Sequence, residues 1–570
     1  MRNSGTPSPC DTLSGSDFES LTSNIRPTSP HSHSLADWLL LAGFCGFLFF
    51  FGLSYFGLMG ADEPRYAQVA REMLARHDWI TPTLGGQPWL EKPILYYWQA
   101  MVTYKIFGVS DWAARLPSAV DATLMVWAVF LFLRRFRPGS QLDGALITAS
   151  AAGIVGFARA ASMDMALASA FTIAMLAWYA WHETGRKSYL VVFYAFLALG
   201  TLAKGPIAPF LAALVVVAFA ATRNNFGMVR KTLWIPGILI FLGVGGPWFA
   251  AVQLRNPEFF RVFVLQHNLS RFGTNLYHHP QPFWFYLPVV LIVLLPWTTV
   301  VVAALFENVR LWWRQKGIRS GDEFNIFLMI WLTLPILFFS FSQSKLPGYI
   351  LPALPAATLL LAEYVRRSSQ ENRKASNALL ALHSLISASL LLPALLLQFV
   401  VLRHRLTWNR ATLLALALTA VLALAIGVTL RLSSGLRLLR FVTLIPVILA
   451  IAAVLRLNAH FLDGRLSARP LSDSITHIDN GSLATAVYGV RREPEYGLHF
   501  YRNQRIARYD SGEVPGTEHI LVAPHSTPLS QLEGKLPGRR ISYLGTDQPQ
   551  SLDYFWISAP GMSMGEMQMK

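Results

Sequence analysis

Charge is scarce in this chain. Asp, Glu, Lys and Arg fill only 14% of the 570 positions, against about 25% in an ordinary soluble domain. Cysteine is nearly absent. Cys10 lies in a polar tail and Cys45 in the first apolar block, a placement that suits neither a metal site nor a structural disulfide. Any domain outside the membrane must therefore fold without bridges. No short apolar run followed by a cleavage site appears in residues 1–36, so that Ser-, Pro- and Thr-rich stretch is expected to be a disordered cytoplasmic tail rather than a signal peptide. Acidic residues are outnumbered 32 to 48, leaving a net charge of +16. The basic excess clusters in short loops between apolar blocks, the pattern of cytoplasmic loops in membrane proteins. No nucleic-acid partner is expected, and surplus basic charge can help to hold anionic lipid phosphates.

Hydrophobic residues, by contrast, make up 53% of the chain and fall in blocks long enough to cross a bilayer core, which takes roughly 20 residues per helix. Backbone groups inside lipid must be satisfied within the segment, so the blocks predict helices. They lie near 37–58, 117–134, 143–160, 163–182, 188–203, 205–222, 232–253, 284–306, 324–342, 348–365, 377–402, 411–430 and 438–456. The fold class predicted is an all-α polytopic membrane protein of about thirteen spans. Six basic clusters (Arg134 to Arg137, Arg186 and Lys187, Arg230 and Lys231, Arg310 to Arg319, Arg366 to Lys374, Arg431 to Arg440) then share the side of the N-terminus, which should be cytoplasmic. Parity puts loop 59–116, the turns near 160 and 204, loop 254–283 and the turn at 343–348 on the opposite, outer side. From 457 to 570 the apolar blocks stop, and strand-like pieces such as Ala484–Val490, His519–Val522 and Tyr554–Ile557 predict a small extracytoplasmic α/β domain. The membrane domain is thus read as 37–456.

Loop 59–116 holds the densest polar chemistry. Tyr66, Val69, Ala70, Met73 and Leu74 keep the spacing of one apolar helix face, and Asp62 or Glu63 is placed to cap that helix. A second surface helix is expected from Pro93, with Ile94, Tyr97, Trp98, Met101 and Val102 inward. Taken alone, Asp62, Glu63, Glu91 and Lys92 fit plain capping and an interfacial anchor as well as they fit a site. Asp164 stands at the outer start of a span, where an ionisable group is a functional candidate; an N-cap or an ion pair with Arg159 is the alternative. His267 with Glu91 is a two-residue candidate for a divalent metal, outweighed by a polar contact without one, and the adjacent His278 and His279 are read as solvated.

The order of pieces in this region resembles a known family. Asp62-Glu-Pro-Arg65-Tyr66, Arg71-Glu-Met-Leu, Glu91-Lys92-Pro93-Ile-Leu-x-Tyr-Trp and Arg115-Leu-Pro-Ser look like the first outer loop of lipid-linked-sugar transferases of the protein O-mannosyltransferase superfamily, the GT-C fold. Asp164, Lys204-Gly-Pro, Gln266-His267-Asn-Leu-Ser-Arg271-Phe and Lys345-Leu-Pro-Gly-Tyr349 follow in order. The nearest subgroup is the 4-amino-4-deoxy-L-arabinose transferases, which modify lipid A. Pro64 stands where they commonly carry Thr, and the C-terminal domain matches poorly.

The resemblance implies an inner-membrane enzyme with a polyprenyl-phosphate sugar donor and a lipid, protein or glycan acceptor outside the cytoplasm. It implies Asp62 and Asp164 as site carboxylates and Arg65, Lys92, Lys204, Lys345 and Tyr349 as holders of the donor phosphate, with Glu63, Tyr66 and Glu91 in support. No cofactor is expected beyond a possible divalent metal at Glu91 and His267. Asp62 either takes a proton from an acceptor hydroxyl or, facing a phosphate acceptor, orients it. A flippase or transporter is the non-enzymatic rival; such proteins show internal repeats and mid-membrane charges, and this sequence shows no such repeat.

Overall fold

The computed structural model describes residues 35–270, 281–314, 323–371, 373, 375–403, 409–432 and 435–560. The expected tail, Cys10, Arg271, His278 and His279 lie outside them. Among the described residues, 9 helices are long and apolar enough to cross a membrane, or up to 11 if each of 2 bent pairs is one span. Two shorter apolar helices, Leu35–Phe50 and Ile207–Thr222, complete the set. Each apolar block of the sequence has its helical counterpart, and the protein is a multi-pass membrane protein.

Two blocks differ from the simple expectation because they are broken. Gln141–Ser150 meets Ala152–Ala158 at 65°, and Phe283–Val293 meets Thr298–Trp313 at 117°. A break exposes backbone groups that lipid cannot satisfy, and here the two breaks satisfy each other. The Ala152 amide donates to the Leu295 carbonyl at 2.8 Å. Gly153 lets them approach, since a Cβ there would stand 2.8 Å from the Val293 side chain and 2.9 Å from that of Leu354.

The helix ends that carry the basic loops are joined by ion pairs. Arg137 reaches Glu183 at 2.7 Å, Arg440 reaches Asp143 at 2.5 Å, Arg373 reaches Glu307 at 2.8 Å, and Arg223 pairs with Glu323. Hydropathy reads these arginines only as topology markers; the structure uses them to bind neighbouring helices.

At the other end lies the loop between the first two apolar blocks. Its helices are Asp62–Ala75 and Leu95–Phe107, linked by a two-residue hairpin whose strands are Thr83–Leu84 and Gln87–Pro88. Gly85 and Gly86 turn the hairpin with φ of 59° and 79°, and both amides donate to Glu72. The first helix buries Tyr66, Val69, Ala70 and Met73 as the spacing predicts. The second buries Tyr96, Tyr97, Ala100, Met101 and Tyr104, while Val102 is exposed. This corrects the expected face by about one position, because Tyr96, Ala100 and Tyr104 join Tyr97 and Met101 in the cluster shared with the first loop helix. The capping expectation also fails. Ala61 is the N-cap, and no side chain caps the helix.

Glu63 has a different task. Its carboxylate accepts from Arg115 through both oxygens at 2.7 and 3.1 Å, from the Met59 amide at 2.7 Å and from the Ala161 amide at 2.7 Å. Arg115 is wholly buried, and its remaining donors go to the carbonyls of Leu53, Phe56 and Gly57, each at 2.8 Å.

The last long helix runs on to Leu466, past the boundary expected at 457. A five-stranded sheet follows in the order Ala507–Arg508, Ala484–Val487, His519–Pro524, Leu552–Ile557, Ile541–Asp547. The first three strands are parallel and the last two pairings antiparallel. Helix Arg492–Arg502 of this α/β unit lies on the loop helix. Arg71 donates to the Phe500 carbonyl at 2.8 Å, and the Tyr501 hydroxyl bridges Asp111 at 2.7 Å and the Leu58 amide at 2.6 Å.

Removing one partner of a buried, hydrogen-bonded ion pair costs about 3–5 kcal/mol. Glu63→Ala should therefore lower the thermal unfolding temperature of the detergent-purified protein more than Glu72→Ala does. Equal, small shifts in the two variants would remove Glu63 and Arg115 from their structural role.

Candidate active site

Three stretches of chain converge at the end of the bundle that holds the loop helices. Helix Asp62–Ala75 opens with Asp62, whose side chain is 60% exposed, and Arg65, which is 13% exposed. The two form an ion pair one turn apart. The Arg65 guanidinium sits among three rings, 5.1 Å from the centre of Tyr66, 5.2 Å from Trp89 and 5.4 Å from Tyr496. Its Nε has no hydrogen-bond partner, and the same holds for the buried Trp89 Nε1 and the Tyr97 hydroxyl. Burial raises the phenols of Tyr66 and Tyr97 above their ordinary range. Both stay neutral donors at physiological pH.

The second stretch is the start of helix Met163–Thr184. Ser162 caps it by accepting from the Asp164 amide, and its hydroxyl also donates to the Asp164 carboxylate at 3.0 Å. Asp164 is paired with Lys204, which ends helix Lys187–Lys204. The expected alternative, a pair with Arg159, is not formed. Arg159 donates instead to the Leu48 carbonyl at 3.1 Å.

The third stretch is the Pro347–Ala353 turn. Lys204 Nζ lies 4.7 Å from the centre of the Tyr349 ring. Gly348 is what lets the turn close on the carboxylate. A Cβ there would stand 2.8 Å from the Phe157 ring and 3.0 Å from Asp164 Cγ. Lys345 departs from the expectation of a free phosphate ligand. It is 6% exposed and donates to the carbonyls of Ser342 at 2.6 Å and Gln281 at 2.9 Å. Two of its three N–H donors are thus spent on backbone.

These stretches share one electrostatic neighbourhood. Tyr66 feels the charges of Asp62, Arg65 and Asp164. Glu91 acts on Arg65 and on Tyr97, and the Lys92 ammonium acts on Asp164. Asp62, Arg65, Tyr66, Glu91, Lys92, Asp164, Lys204 and Tyr349 therefore gather, whereas Glu63 points away to Arg115. His267 lies in helical segment Phe260–Ser270, and its side chain is outside what the structure describes. Among the described residues no group of three or more His, Cys, Asp or Glu could hold a metal ion. Sequence reasoning missed Tyr496, since nothing local marks a tyrosine so far along the chain as a neighbour of Arg65.

Chemically, the site offers cations for a phosphate and an exposed carboxylate beside them. Charge-assisted contacts of this kind suit an anionic ligand or leaving group.

Residues 91–250 match the family described as dolichyl-phosphate-mannose-protein mannosyltransferase. The chain is 30% identical over 350 residues to the undecaprenyl phosphate-α-4-amino-4-deoxy-L-arabinose arabinosyl transferase of Edwardsiella ictaluri, over 60% of this chain and 61% of that one. It is 32% identical to the enzyme of that name from Pseudomonas aeruginosa, over 57% of this chain and 58% of the relative. The chain thus spans about three fifths of the length of these relatives. The crystal structure of ArnT from Cupriavidus metallidurans bound to undecaprenyl phosphate superposes with a TM-score of 0.72 at 23% identity, covering 92% of this chain and 98% of that one. At that identity the likeness speaks for the fold.

Gly348→Ala should press on Asp164 and Phe157 and disturb the Lys204 contact while leaving the distant core alone. The expected result is a loss of activity of tenfold or more with an almost unchanged unfolding temperature, on the order of magnitude that a small misplacement of a site costs. A variant with normal activity would show that the turn does not position the pair.

Proposed function

We propose that this chain, similar in sequence to polyprenyl-phosphate sugar transferases and in fold to ArnT, is a membrane glycosyltransferase of the GT-C type that transfers a sugar from a polyprenyl-phosphate carrier to an acceptor outside the cytoplasm. The observation that carries this reading is the cluster of Arg65, Lys92 and Lys204 with Asp62 and Asp164 at one end of the bundle. Names of the relatives favour undecaprenyl phosphate as carrier, aminoarabinose as sugar and, through the resemblance, lipid A as acceptor. The N-terminus then lies in the cytoplasm, with the site and the C-terminal α/β unit outside.

In the reaction proposed, the bond between the anomeric carbon and the phosphate oxygen breaks, and its electron pair leaves with the carrier phosphate. Arg65, Lys92 and Lys204 stabilise that charge, Arg by a fork of donors and Lys as compact charges. Tyr349 adds a neutral contact, and Lys345 supports the turn that carries it. The acceptor oxygen bonds to the anomeric carbon from the opposite face, inverting it. A hydroxyl acceptor gives its proton to Asp62, the exposed carboxylate of the site. A phosphate acceptor arrives ionised, and Asp62 then orients it. Asp164 serves as the second carboxylate by holding Lys204 in place, with Tyr66 and Glu91 beside the donor.

The match to protein mannosyltransferases favours a second reading, in which the same donor chemistry serves a protein or glycan acceptor.

Mass spectrometry of lipid A and of outer-membrane glycans and proteins from cells lacking this protein tests both readings. Loss of a sugar from lipid A supports the first, and loss from protein or glycan supports the second. No missing sugar in any fraction overturns the transferase assignment. Asp62→Asn should abolish the modification, with wild-type expression and insertion. Full modification by that variant would exclude Asp62 from catalysis.

A further inference from the structure

The C-terminal α/β unit reaches the candidate site through the ring of Tyr496. Helix Arg492–Arg502 places Tyr496 with its ring centre 5.4 Å from the Arg65 guanidinium, which also lies over the two rings that the first loop supplies, Tyr66 and Trp89. Tyr496 is half-buried. The helix that carries it is fixed to the loop from both sides. Arg71 grips the Phe500 carbonyl, and the Tyr501 hydroxyl ties Asp111 to the Leu58 amide. The neighbouring helix is fixed too, because Arg469 bonds Asp111 at 2.8 Å. The helix backbone that carries the ring therefore cannot drift from Arg65 without breaking these contacts.

Arg65 needs such a wall. Its hydrogen bonds go to exposed Asp62 and, at 3.4 Å, to the Tyr66 hydroxyl, and its Nε has no partner. A long side chain held by so few bonds keeps many rotamers. Aromatic faces on several sides restrict the guanidinium while leaving its donors open to an anion. We propose that Tyr496 is a positioning residue of the site, holding Arg65 by its aromatic face so that the guanidinium meets the carrier phosphate in a fixed orientation. The C-terminal unit thereby completes the phosphate site as well as covering it. The inference rests on the polyprenyl-phosphate reading for its ligand and on the ring geometry for its mechanism.

The test uses the full-length protein in nanodiscs with undecaprenyl phosphate as the probe. Tyr496→Phe keeps the ring, and Tyr496→Leu keeps most of the bulk without it. Binding should be unchanged in the first and about three- to tenfold weaker in the second, the range expected of a partly desolvated cation–π contact. In an Arg65→Gln background, Tyr496→Leu should have no further effect. Equal affinity of the Phe and Leu variants, or equal loss in both, would reduce Tyr496 to packing and overturn the proposal. Should the wild-type protein fail to bind undecaprenyl phosphate, the carrier assignment falls, and the unfolding temperatures decide the positioning claim alone. Non-additive shifts for Tyr496→Leu and Arg65→Gln support it, and additive shifts overturn it.

Discussion

One buried ion pair fixes the geometry of everything at the site end of this molecule. Arg115 uses all five of its N–H donors, two on Glu63 and three on the carbonyls of Leu53, Phe56 and Gly57. Glu63 uses both oxygens twice, adding the Met59 and Ala161 amides. An isolated charge in such a place would be ruinous, and a half-satisfied network little better. Fully satisfied, it locks the exit of the first apolar block, the first loop helix, the helix that starts at Asp111 and the turn before Asp164 into one arrangement. Asp62 and Arg65 are the neighbours of Glu63 on its own helix, and Asp164 follows Ala161 by less than a turn. The two carboxylates of the candidate site are therefore placed relative to each other by a third carboxylate whose oxygens are taken up by Arg115 and two backbone amides.

The loop and the α/β unit are joined on the same principle. Asp111 receives both Tyr501 and Arg469, while Asp463 accepts from the Gly57 amide at 2.7 Å. Gly57 has no room for a side chain, since a Cβ would stand 2.3 Å from the Ser467 hydroxyl. The joint between membrane bundle and sheet is thus closed by charged hydrogen bonds as well as by the apolar packing of Phe500 and Tyr501 against the first loop helix. Such a joint suits a surface where lipid, water and a bulky ligand must all have access.

Much of this was legible beforehand, for a physical reason. Lipid forces backbone groups to pair within a segment, so hydropathy alone located the helices, and the i, i+3, i+4 spacing located the apolar face of Asp62–Ala75. The breaks at Ala151 and near Leu295 were hidden, because their backbone groups are satisfied across the fold and leave no local mark. Strand Ile541–Asp547 was missed for a similar reason: its burial is intermediate along its length, so no clean alternation betrays it. Among the site residues, Asp62, Arg65, Lys92, Asp164 and Lys204 were visible as charges out of keeping with their surroundings. Glu63 looked the same and proved to be scaffold. Charge in an apolar chain marks a place where something must be paired; it does not say whether the partner is protein or ligand.

That ambiguity also describes how such a site can stand ready. A cluster of bare cations at a membrane surface would repel itself and attract any passing anion. Here Arg65 is paired with Asp62, and Lys204 with Asp164, so these two cations are neutralised before a ligand arrives. In the proposed reaction the carrier phosphate must compete with a carboxylate for each cation. The two contests differ. Asp62 is 60% exposed, so solvent screens its pair with Arg65, whereas Asp164 is 22% exposed and held also by Ser162. Phosphate should therefore displace Asp62 first, which frees a solvated carboxylate beside the donor at the moment an acceptor is needed. The pair that breaks supplies the reacting carboxylate, and the pair that holds keeps the lysine in place.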